Sequence, residues 1–476
     1  MELNSPKIAK KYFQSEVKEK IIGIGVTAFN RVGLENIISQ YEIFSLKKTY
    51  DDPAIREKIK LNILEELKEV DYQKSKKNST TIIENPVFKK YLATQDQSAA
   101  LLFYKISGKI EKICRENNWL MVANSVLYGK KSFEDKVFFR GVLKEADLEA
   151  IPGGVRNLSG LNYDDIKKDL GERFVVQLPH LGGGKGTFFI NSKKDLENFY
   201  QKNVVKECPY SKVVVTKYIS GPSPSIVGCV TRAGIMHAGL QYQVLSIPTL
   251  YDSSVGSGLF CGHDWSDLRF SKKAQKQAER MVQKLGRHLQ KNKYKGIFGI
   301  DLIHDEETDT LYPVEVNPRL TGAYPVLNMI QESRGQVPLQ SFHILEFLGK
   351  DYNVDIDKYN QQSFEKSSGA HLVFHNLDLQ EKMITKDFSG GLHSQKGLSS
   401  LASEAYSLKS VENSDDFVIV DNILLSGGIL KGHQRMFRTL HGKAVLSDDK
   451  KSLKPEILEL TNALYQKASQ ALKPRN

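Results

Sequence analysis

The 476-residue sequence has little cysteine and no long apolar run. Its cysteines, Cys114, Cys208, Cys229 and Cys261, are scattered and form no CxxC pair. This distribution predicts isolated reduced thiols and excludes a disulfide framework or a cysteine-rich zinc site. The apolar runs, such as residues 21–26, are far shorter than the roughly 20 residues that cross a membrane. Since the first residues also carry no apolar signal segment, we expect a soluble cytoplasmic protein without a membrane partner.

The sequence also lacks the signatures that usually accompany nucleic-acid binding. Its formal net charge is +11, but it contains no zinc finger, no RNA-recognition signature and no dense arginine tract. Much of the charge comes from lysines in predicted surface helices such as residues 271–293. We therefore interpret the excess as a solvated basic surface that also suits phosphorylated ligands, and we consider nucleic acid an unlikely partner.

The N-terminal region has the pattern of an α/β unit with a parallel sheet. Residues 20–30 are an apolar run leading into a predicted helical stretch, and residues 41–48 read as another strand. Gly23, Gly25 and Ala28 loosely match a dinucleotide-binding fingerprint, but the acid expected about 20 residues later is missing. The pattern predicts a Rossmann-like domain that does not bind NAD.

The length and the change of pattern along the chain predict about three domains of mixed α/β (α+β) class. Residues 1–133 form the Rossmann-like region, in which residues 50–80 and 97–118 are predicted to be largely helical. Strands dominate the next region, 134–349, and a further α/β region follows over 350–476.

A glycine-rich loop lies between two predicted strands within residues 174–191. Glycines let backbone N–H groups approach an anion closely, and Lys185 adds a positive charge suited to phosphate. The loop is not a Walker A motif, because Pro179 replaces the first glycine, Gly186 follows the lysine, and the next element reads as a strand. Two interpretations stay open: a mobile loop that covers phosphates, or a glycine-rich hairpin without a ligand.

A hairpin rich in acids follows, with the sequence GIFGIDLIHDEETDTLYPVEVNPR. With a turn centred near Glu307, Asp301 would lie opposite Pro313, and Asp301, Glu315 and Asn317 would share one face. Two like charges on one face persist most readily around a cation, and oxygen ligands of this kind suit Mg²⁺. The alternative is a set of solvated polar side chains on the outer face of a sheet.

Arg319 lies two residues beyond Asn317 and is expected to meet negative charge on a reacting group. A general base cannot be assigned from the sequence. The candidates are histidines, each of which is as readily structural: His180, His237, His263 and His371.

Together, these segments resemble the ATP-grasp superfamily, and in particular its carboxylate–amine, peptide-ligase-like members. The resemblance covers residues 134–325 and implies an ATP-grasp fold with an N-terminal Rossmann-like pre-ATP-grasp domain and a C-terminal α/β extension. It also implies that Asp301, Glu315 and Asn317 bind Mg²⁺, with Mn²⁺ as an alternative. Arg319 is implied to contact the reacting groups as the catalytic residue.

The resemblance implies an ATP site as well, with a lysine on phosphate, a phosphate lid and a hinge strand that receives adenine. The residues implied to bind ATP are Lys136, Gln177, Gly183, Gly184, Lys185, Gly186, Thr187, Thr216, Lys217, Tyr218 and Ile219. Two positions depart from the family pattern: Gln177 stands where a lysine is usual, and Thr216 where a glutamate is frequent. The positive charge usual at position 177 is therefore absent, and Lys185 supplies a nearby charge.

The predicted function is an ADP-forming ligase that activates a carboxylate as an acyl phosphate for attack by an amine. The predicted substrates are small molecules, an amino acid or a peptide among them. The alternatives are a biotin-carboxylase-like enzyme that uses bicarbonate, or a nucleotide-binding regulatory protein without catalysis. The sequence does not disclose the two substrates or the oligomeric state.

Overall fold

The computed structural model describes residues 1–67, 78–95, 98–129, 132–181, 186–207, 209–252 and 259–475. The predicted phosphate-loop residues Gly183, Gly184 and Lys185 lie outside these ranges, as does Cys208. The other three cysteines are free, as predicted, and all three are buried. Within the described ranges, no helix is long and apolar enough to cross a membrane.

The N-terminal region contains a parallel sheet in the order β3-β2-β1-β4-β5, with helices packed around it. Its strands are β1 (Lys20–Gly25), β2 (Tyr41–Ser45), β3 (Lys60–Ile63), β4 (Ala99–Phe103) and β5 (Leu120–Val122). Its helices are α1 (Pro6–Glu16), α2 (Asp52–Arg56), α3 (Ser79–Glu84), α4 (Pro86–Ala93) and α5 (Gly108–Glu116). The predicted α/β unit with a parallel sheet is confirmed.

Three local predictions in this region were wrong. Strand β3 lies inside the stretch 50–80 that was predicted to be helical, and β4 lies inside 97–118. β4 has the sequence AALLF and is nearly buried throughout, since a central parallel strand is covered on both faces and lacks an alternating pattern. The expected helix after β1 is instead a short 3₁₀ turn, Phe29–Arg31.

A second, antiparallel sheet has the order β6-β9-β7-β8. Its strands are β6 (Gly153–Asn157), β7 (Phe174–Gln177), β8 (Thr187–Ile190) and β9 (Lys212–Lys217). The accompanying helices are α6 (Lys136–Glu145), α7 (Tyr163–Leu170), α8 (Lys193–Gln201) and α9 (Asn203–Lys206). Strands β7 and β8 flank the glycine loop, so the element after the loop is a strand, as the sequence predicts.

The largest sheet begins with β10 (Pro224–Thr231), β11 (Gly234–His237), β12 (Gln241–Leu245), β13 (Phe260–Asp264), β14 (Gly296–Asp305) and β15 (Thr310–Asn317). Helix α10 (Lys272–Lys291) packs on β10 and β15, and helices α11 (Val326–Ser333), α12 (Leu339–Leu348) and α13 (Ile356–Gln362) follow the acidic hairpin. Gly228 of β10 permits close packing of α10, since a Cβ there would lie 2.6 Å from Val282. The acidic hairpin is thereby held against a long helix.

The C-terminal region continues this sheet, because β13 pairs with β16 (Ala370–His375). The other strands are β17 (Lys382–Ile384), β18 (Gly391–Ser394), β19 (Ser400–Ala402), β20 (Asp416–Val420), β21 (Ile429–Leu430), β22 (Arg435–His441) and β23 (Leu472–Pro474). Helix α14 (Pro455–Ser469) lies between β22 and β23. In the sheet, β16 is followed by β22, β20, β18 and β19. The predicted mixed α/β class is confirmed.

Candidate active site

A cavity of about 910 Å³ lies where the three regions of the chain meet. Its wall combines the acidic hairpin, strands β7 to β9 of the second sheet, the turn after β1, and strands β16 and β22. The predicted site residues on this wall are Gln177, Thr187, Thr216, Lys217, Tyr218, Ile219, Asp301, Glu315, Asn317 and Arg319. Residues that are 100 or more positions apart in the sequence therefore face one space.

The hairpin register differs from the predicted one. Asp301 lies directly opposite Glu315, not opposite Pro313, because a bulge follows Asp301 and Pro313 pairs with Leu302. Bulges place one extra residue on one strand and cannot be read from a turn position alone. The correction moves the two acids from diagonal neighbours to direct cross-strand partners.

Asp301 is held by two amides. Its carboxylate accepts hydrogen bonds from Gln243 Nε2 at 3.1 Å and from Asn317 Nδ2 at 3.0 Å. Burial, followed by the charge of Glu315, raises the pKa of Asp301 to about 7. Burial and the neighbouring carboxylate of Glu315 both disfavour the ionised form of Asp301, and a cation between the two acids would offset both effects.

Glu315 is paired with Lys136. Lys136 is 4% exposed, and its Nζ lies 2.9 Å from Glu315 Oε2 and 3.3 Å from the carbonyl oxygen of Leu181. Asp135 caps helix α6 by accepting from the backbone N–H groups of Val137 and Phe138, which fixes Lys136 at the start of the helix. Among the described residues, Lys136 lies behind Glu315 and is not on the cavity wall.

Arg319 is the centre of a hydrogen-bond network. Its Nε donates to Glu134 Oε1 at 3.0 Å, one terminal nitrogen donates to Tyr104 Oη at 3.1 Å, and the other to Asn317 Oδ1 at 2.7 Å. Burial opposes its charge, but Tyr104 and Glu134 raise the pKa of Arg319 above its usual value. Lys105 also pairs with Glu134, at 2.9 Å. The guanidinium is therefore charged and oriented before any ligand binds.

The wall formed by the second sheet has the chemistry of a nucleotide slot. Gln177 Nε2 donates to Thr187 Oγ1 at 3.4 Å across β7 and β8. Beyond the end of β9, Tyr218 packs edge-on against Phe189, with ring centroids 5.7 Å apart. The backbone N–H of Ile219 has no hydrogen-bond partner in the part of the chain that the structure describes. A slot that combines two aromatic rings with an unpaired backbone donor suits the face and the edge of a purine base.

The donor set of the hairpin fits a hard divalent cation. Asp301 and Glu315 bring two carboxylates to the cavity wall, and carboxylate oxygens are the ligands that Mg²⁺ prefers. Asn317 lies beside them, where its Oδ1 accepts from Arg319 and its Nδ2 donates to Asp301. Within the described ranges, no group of three or more histidine, cysteine or acidic residues is arranged to hold a metal. The two carboxylates would therefore share the ion with water or phosphate, as is usual for Mg²⁺.

A group of three arginines from the ends of the chain forms another part of the wall, which we call the arginine wall: Arg31, Arg435 and Arg438. Behind it, Asp421 is fully buried and lies 3.0 Å from Arg438 Nε and 3.0 Å from a terminal nitrogen of Arg435. Asn30 Oδ1 accepts from Arg438 at 2.8 Å. Burial and the charge of Arg435 lower the pKa of Arg438 to about 10, so the group is charged at neutral pH.

Two glycines of β1, Gly23 and Gly25, make room for Arg31. A Cβ on Gly23 would lie 2.4 Å from Tyr41 Oη and 3.0 Å from Arg31, and a Cβ on Gly25 would lie 3.4 Å from Arg31. Arg31 Nε donates to the carbonyl oxygen of Ile24 at 2.7 Å. The glycine pattern that resembles a dinucleotide fingerprint thus serves to hold a buried arginine at the cavity.

Sequence reasoning missed several residues of this site. Glu134 lies two positions before Lys136 in the sequence, yet its contact with Arg319 joins positions 185 apart in the chain. Gln241 and Gln243 alternate along the otherwise apolar β12, a spacing that points two amides to one face. Tyr104 and the arginine wall carry no local pattern that marks them.

Comparison with known proteins identifies the domain family and the fold that this chain resembles. The family described as ATP-grasp domain matches residues 133–323. The biotin carboxylase domain of Hydrogenobacter thermophilus 2-oxoglutarate carboxylase, solved with MgADP, ADP and bicarbonate, has a TM-score of 0.57 at 13% identity. That alignment covers 96% of this chain and 90% of the other.

Two further structures extend the comparison. Phosphoribosylamine–glycine ligase from Thermotoga maritima has a TM-score of 0.56 at 13% identity, over 96% of this chain and 97% of that one. N5-carboxyaminoimidazole synthetase from Staphylococcus aureus, complexed with ADP, has a TM-score of 0.50 at 16% identity, over 95% and 98%. At these identities the likeness establishes the fold, and the predicted ATP-grasp fold is confirmed. This chain therefore contains an ATP-grasp domain, residues 133–323, and has the fold of the ATP-grasp superfamily.

Proposed function

We propose that this protein is an ATP-dependent, ADP-forming ligase that activates a carboxylate and transfers it to an amine. The observation that supports this most is the joint position of the acid pair and Arg319 in one cavity with the nucleotide slot. Simple nucleotide sensing does not require an oriented arginine beside paired acids. The protein is expected to act in the cytoplasm, on small-molecule substrates.

The proposed ligation proceeds in two steps, phosphorylation of the carboxylate and attack by the amine. A carboxylate oxygen of the substrate attacks the γ-phosphorus of ATP, the bond to the bridging oxygen breaks, and ADP leaves. An amine then attacks the acyl carbon, inorganic phosphate leaves with the former carboxylate oxygen, and the amine loses a proton. The products are an amide, ADP and phosphate.

Different residues of the cavity are assigned to metal binding, charge stabilisation and positioning in these two steps. Asp301, Glu315 and Asn317 would hold Mg²⁺, which supplies charge neutralisation to the phosphates when bound. Arg319, held rigidly by Glu134 and Tyr104, stabilises negative charge on the transferred phosphoryl group or on the oxyanion that follows. Lys136 holds Glu315 in position and remains a predicted phosphate contact.

Binding of the nucleotide is assigned to the second sheet. The base would lie against Tyr218 and Phe189 and meet the backbone N–H of Ile219, while Gln177, Thr187 and Thr216 line the path toward the phosphates. Gly186, Gly183, Gly184 and Lys185 stay predictions for the lid. Gln177 contributes a neutral donor where the family pattern has a charge, so modest ATP affinity is expected.

The arginine wall favours a negatively charged second substrate. Arg435 contacts Asp421 and Thr27 through one terminal nitrogen, and its other guanidinium nitrogens have no partner among the described residues. A carboxylate or phosphate group accepts paired N–H bonds from such a guanidinium. An amino acid or peptide carboxylate fits this requirement.

Bicarbonate is the competing substrate class. One structural neighbour was solved with bicarbonate and MgADP, and others carry the names of amide-forming or carboxylating enzymes. The third hypothesis is a regulatory protein that binds ATP without turnover, because Gln177 stands where the ATP-grasp family usually has a lysine. These readings predict different responses to added substrate.

Release of ADP from Mg-ATP separates them. We expect pooled amino acids to stimulate ADP release by the wild-type protein and bicarbonate alone to leave it unchanged. Stimulation by bicarbonate without amino acids would replace the ligase with a carboxylase. ATP binding without turnover in any pool would contradict both enzymes, and absence of ATP binding would refute the assignment of the nucleotide slot.

A further inference from the structure

A hydrogen-bonded series of two histidines connects the arginine wall to the middle of the cavity. Arg438 lies 3.4 Å from His371 Nδ1 through a terminal nitrogen, and His371 Nε2 lies 3.0 Å from His263 Nδ1. Both imidazoles are almost fully buried, on the paired strands β16 and β13. His263 also lines the cavity.

The chemistry of arginine fixes the direction of this series. A guanidinium donates hydrogen bonds and cannot accept them, so His371 Nδ1 must be the acceptor. A neutral His371 then carries its hydrogen on Nε2 and donates it to His263 Nδ1. Because His263 Nδ1 accepts, a neutral His263 carries its own hydrogen on Nε2.

The surroundings keep both rings neutral. Burial, and then the charge of Arg438, lowers the pKa of His263 to about 3 and holds the pKa of His371 well below its usual value. The neighbouring His441 and Arg435 act on His371 in the same direction. Trp265 and Phe260 pack against the His263 ring, with centroids 5.4 and 4.9 Å away.

The remaining nitrogen of His263 is free to act on a ligand. Nε2 of His263 has no hydrogen-bond partner in the described ranges, whereas Nδ1 is engaged by His371. Gly322 leaves space beside the ring, since a Cβ there would lie 3.6 Å from His263 Cε1 and 2.9 Å from Phe260. This arrangement leaves the Nε2–H of His263 as an unpaired donor among the described residues, on the part of the cavity wall between the arginine wall and the acidic hairpin.

We propose that Arg438, His371 and His263 form a relay that fixes His263 as a neutral imidazole whose Nε2–H positions an oxygen acceptor of the second substrate in the cavity. The relay makes His263 a positioning residue that binds a carboxylate or carbonyl oxygen, and excludes it as the general base. The identification of the bound oxygen as a carboxylate or carbonyl oxygen of the substrate rests on the proposed function. The relay itself depends only on the contacts of these three side chains.

Other buried histidines supply internal references for the experiment. The backbone carbonyls of Ala238 and Leu250 lie 3.3 and 3.2 Å from Nδ1 of His237 and His375. A carbonyl can only accept, so each of those neutral rings carries its hydrogen on Nδ1. The relay histidines are thus expected to show the opposite tautomer from these two.

Nitrogen-15 histidine NMR of the full-length protein tests the relay directly. We expect His263 and His371 to carry hydrogen on Nε2, with a scalar coupling across the hydrogen bond between His371 Nε2 and His263 Nδ1. His371→Gln retains an acceptor for Arg438 and a donor for His263, so the His263 tautomer should persist. His371→Leu should remove the coupling and let His263 populate both tautomers, while His237 stays unchanged.

The NMR measurement needs no turnover, so it tests the relay independently of the proposed reaction. Hydrogen on Nδ1 of His263, an imidazolium at neutral pH, or no coupling in the wild type would overturn the relay. In the ADP-release assay, His263→Asn is expected to raise KM for the stimulating carboxylate about tenfold with little change in kcat. A loss confined to kcat, with a shifted pH profile, would show a base and overturn the donor role.

Discussion

The two ends of the cavity carry opposite charge and are neutralised to different extents. At the acidic hairpin, Lys136 and the network around Arg319 already balance Asp301 and Glu315. At the arginine wall, Arg435 and Arg438 share one carboxylate, Asp421, while Arg31 donates to the backbone carbonyl oxygens of Ile24 and Asn30. Buried charge without a partner is costly, so the arginine wall has the greater excess to be offset by a ligand.

This difference indicates how a substrate is oriented. A cation between the acids and an anion at the arginines would place a reacting carboxylate between the nucleotide slot and the arginine wall. Tyr104 lies between the two ends, 3.1 Å from Arg319 and with its ring centroid 6.0 Å from the Arg31 guanidinium. The predictions that follow alter each end separately.

The largest effect is expected at the acidic end. Glu315→Gln removes a charge needed to hold the cation and leaves Lys136 without its carboxylate. We expect kcat for ADP release to fall at least about 100-fold. Glu307→Gln, on the exposed turn of the same hairpin, is the matched control and should leave turnover unchanged. Similar losses in both variants would count against an acid-pair mechanism.

The next largest effect concerns stability at the arginine end. Asp421→Asn leaves Arg435 and Arg438 without their carboxylate inside the protein. We expect the free energy of unfolding, measured by urea denaturation, to fall by about 3 kcal/mol. Asp415→Asn, an exposed neighbour paired loosely with Lys443 at 3.5 Å, should cost less than about 1 kcal/mol. An unchanged Asp421→Asn variant would show that the arginine wall needs no internal counter-charge.

Substrate affinity at the same end should change by a smaller amount. Arg435→Ala removes guanidinium nitrogens that face the cavity, so KM for the anionic substrate should rise about 10- to 100-fold with kcat largely kept. Lys431→Ala, an exposed residue four positions earlier, is the control. If Arg435→Ala lowered kcat and left KM unchanged, the arginine would belong to the reacting centre instead.

The smallest effects are expected for the stability of two glycine-to-alanine variants. Gly23→Ala brings a methyl group against Tyr41 and Arg31 and should destabilise the protein by about 2 kcal/mol. Gly141→Ala, in the exposed middle of helix α6 with no atom within 4 Å of the new Cβ, should stabilise it by about 1 kcal/mol. Thermal denaturation measures both, and equal shifts would contradict the packing role given to Gly23.

The two ends also differ in how far the sequence predicts them. The acids and Arg319 lie within one hairpin, so strand alternation alone places them together, although the bulge after Asp301 changed their pairing. The arginine wall joins the turn after β1 to β22, about 400 positions apart, and only tertiary structure brings them into contact. Short buried strands such as β4 were missed for a related reason, since burial on both faces removes the alternating pattern.

The most direct test of carboxylate activation follows the oxygen atoms. The protein is incubated with Mg-ATP and amino acids labelled with oxygen-18 in their carboxylates, and the released phosphate is examined by mass spectrometry. The account predicts one oxygen-18 atom in each phosphate, carried over when the acyl phosphate is cleaved by the amine. Phosphate without label, despite ADP release, would show attack by water and contradict the assignment of a carboxylate-activating ligase.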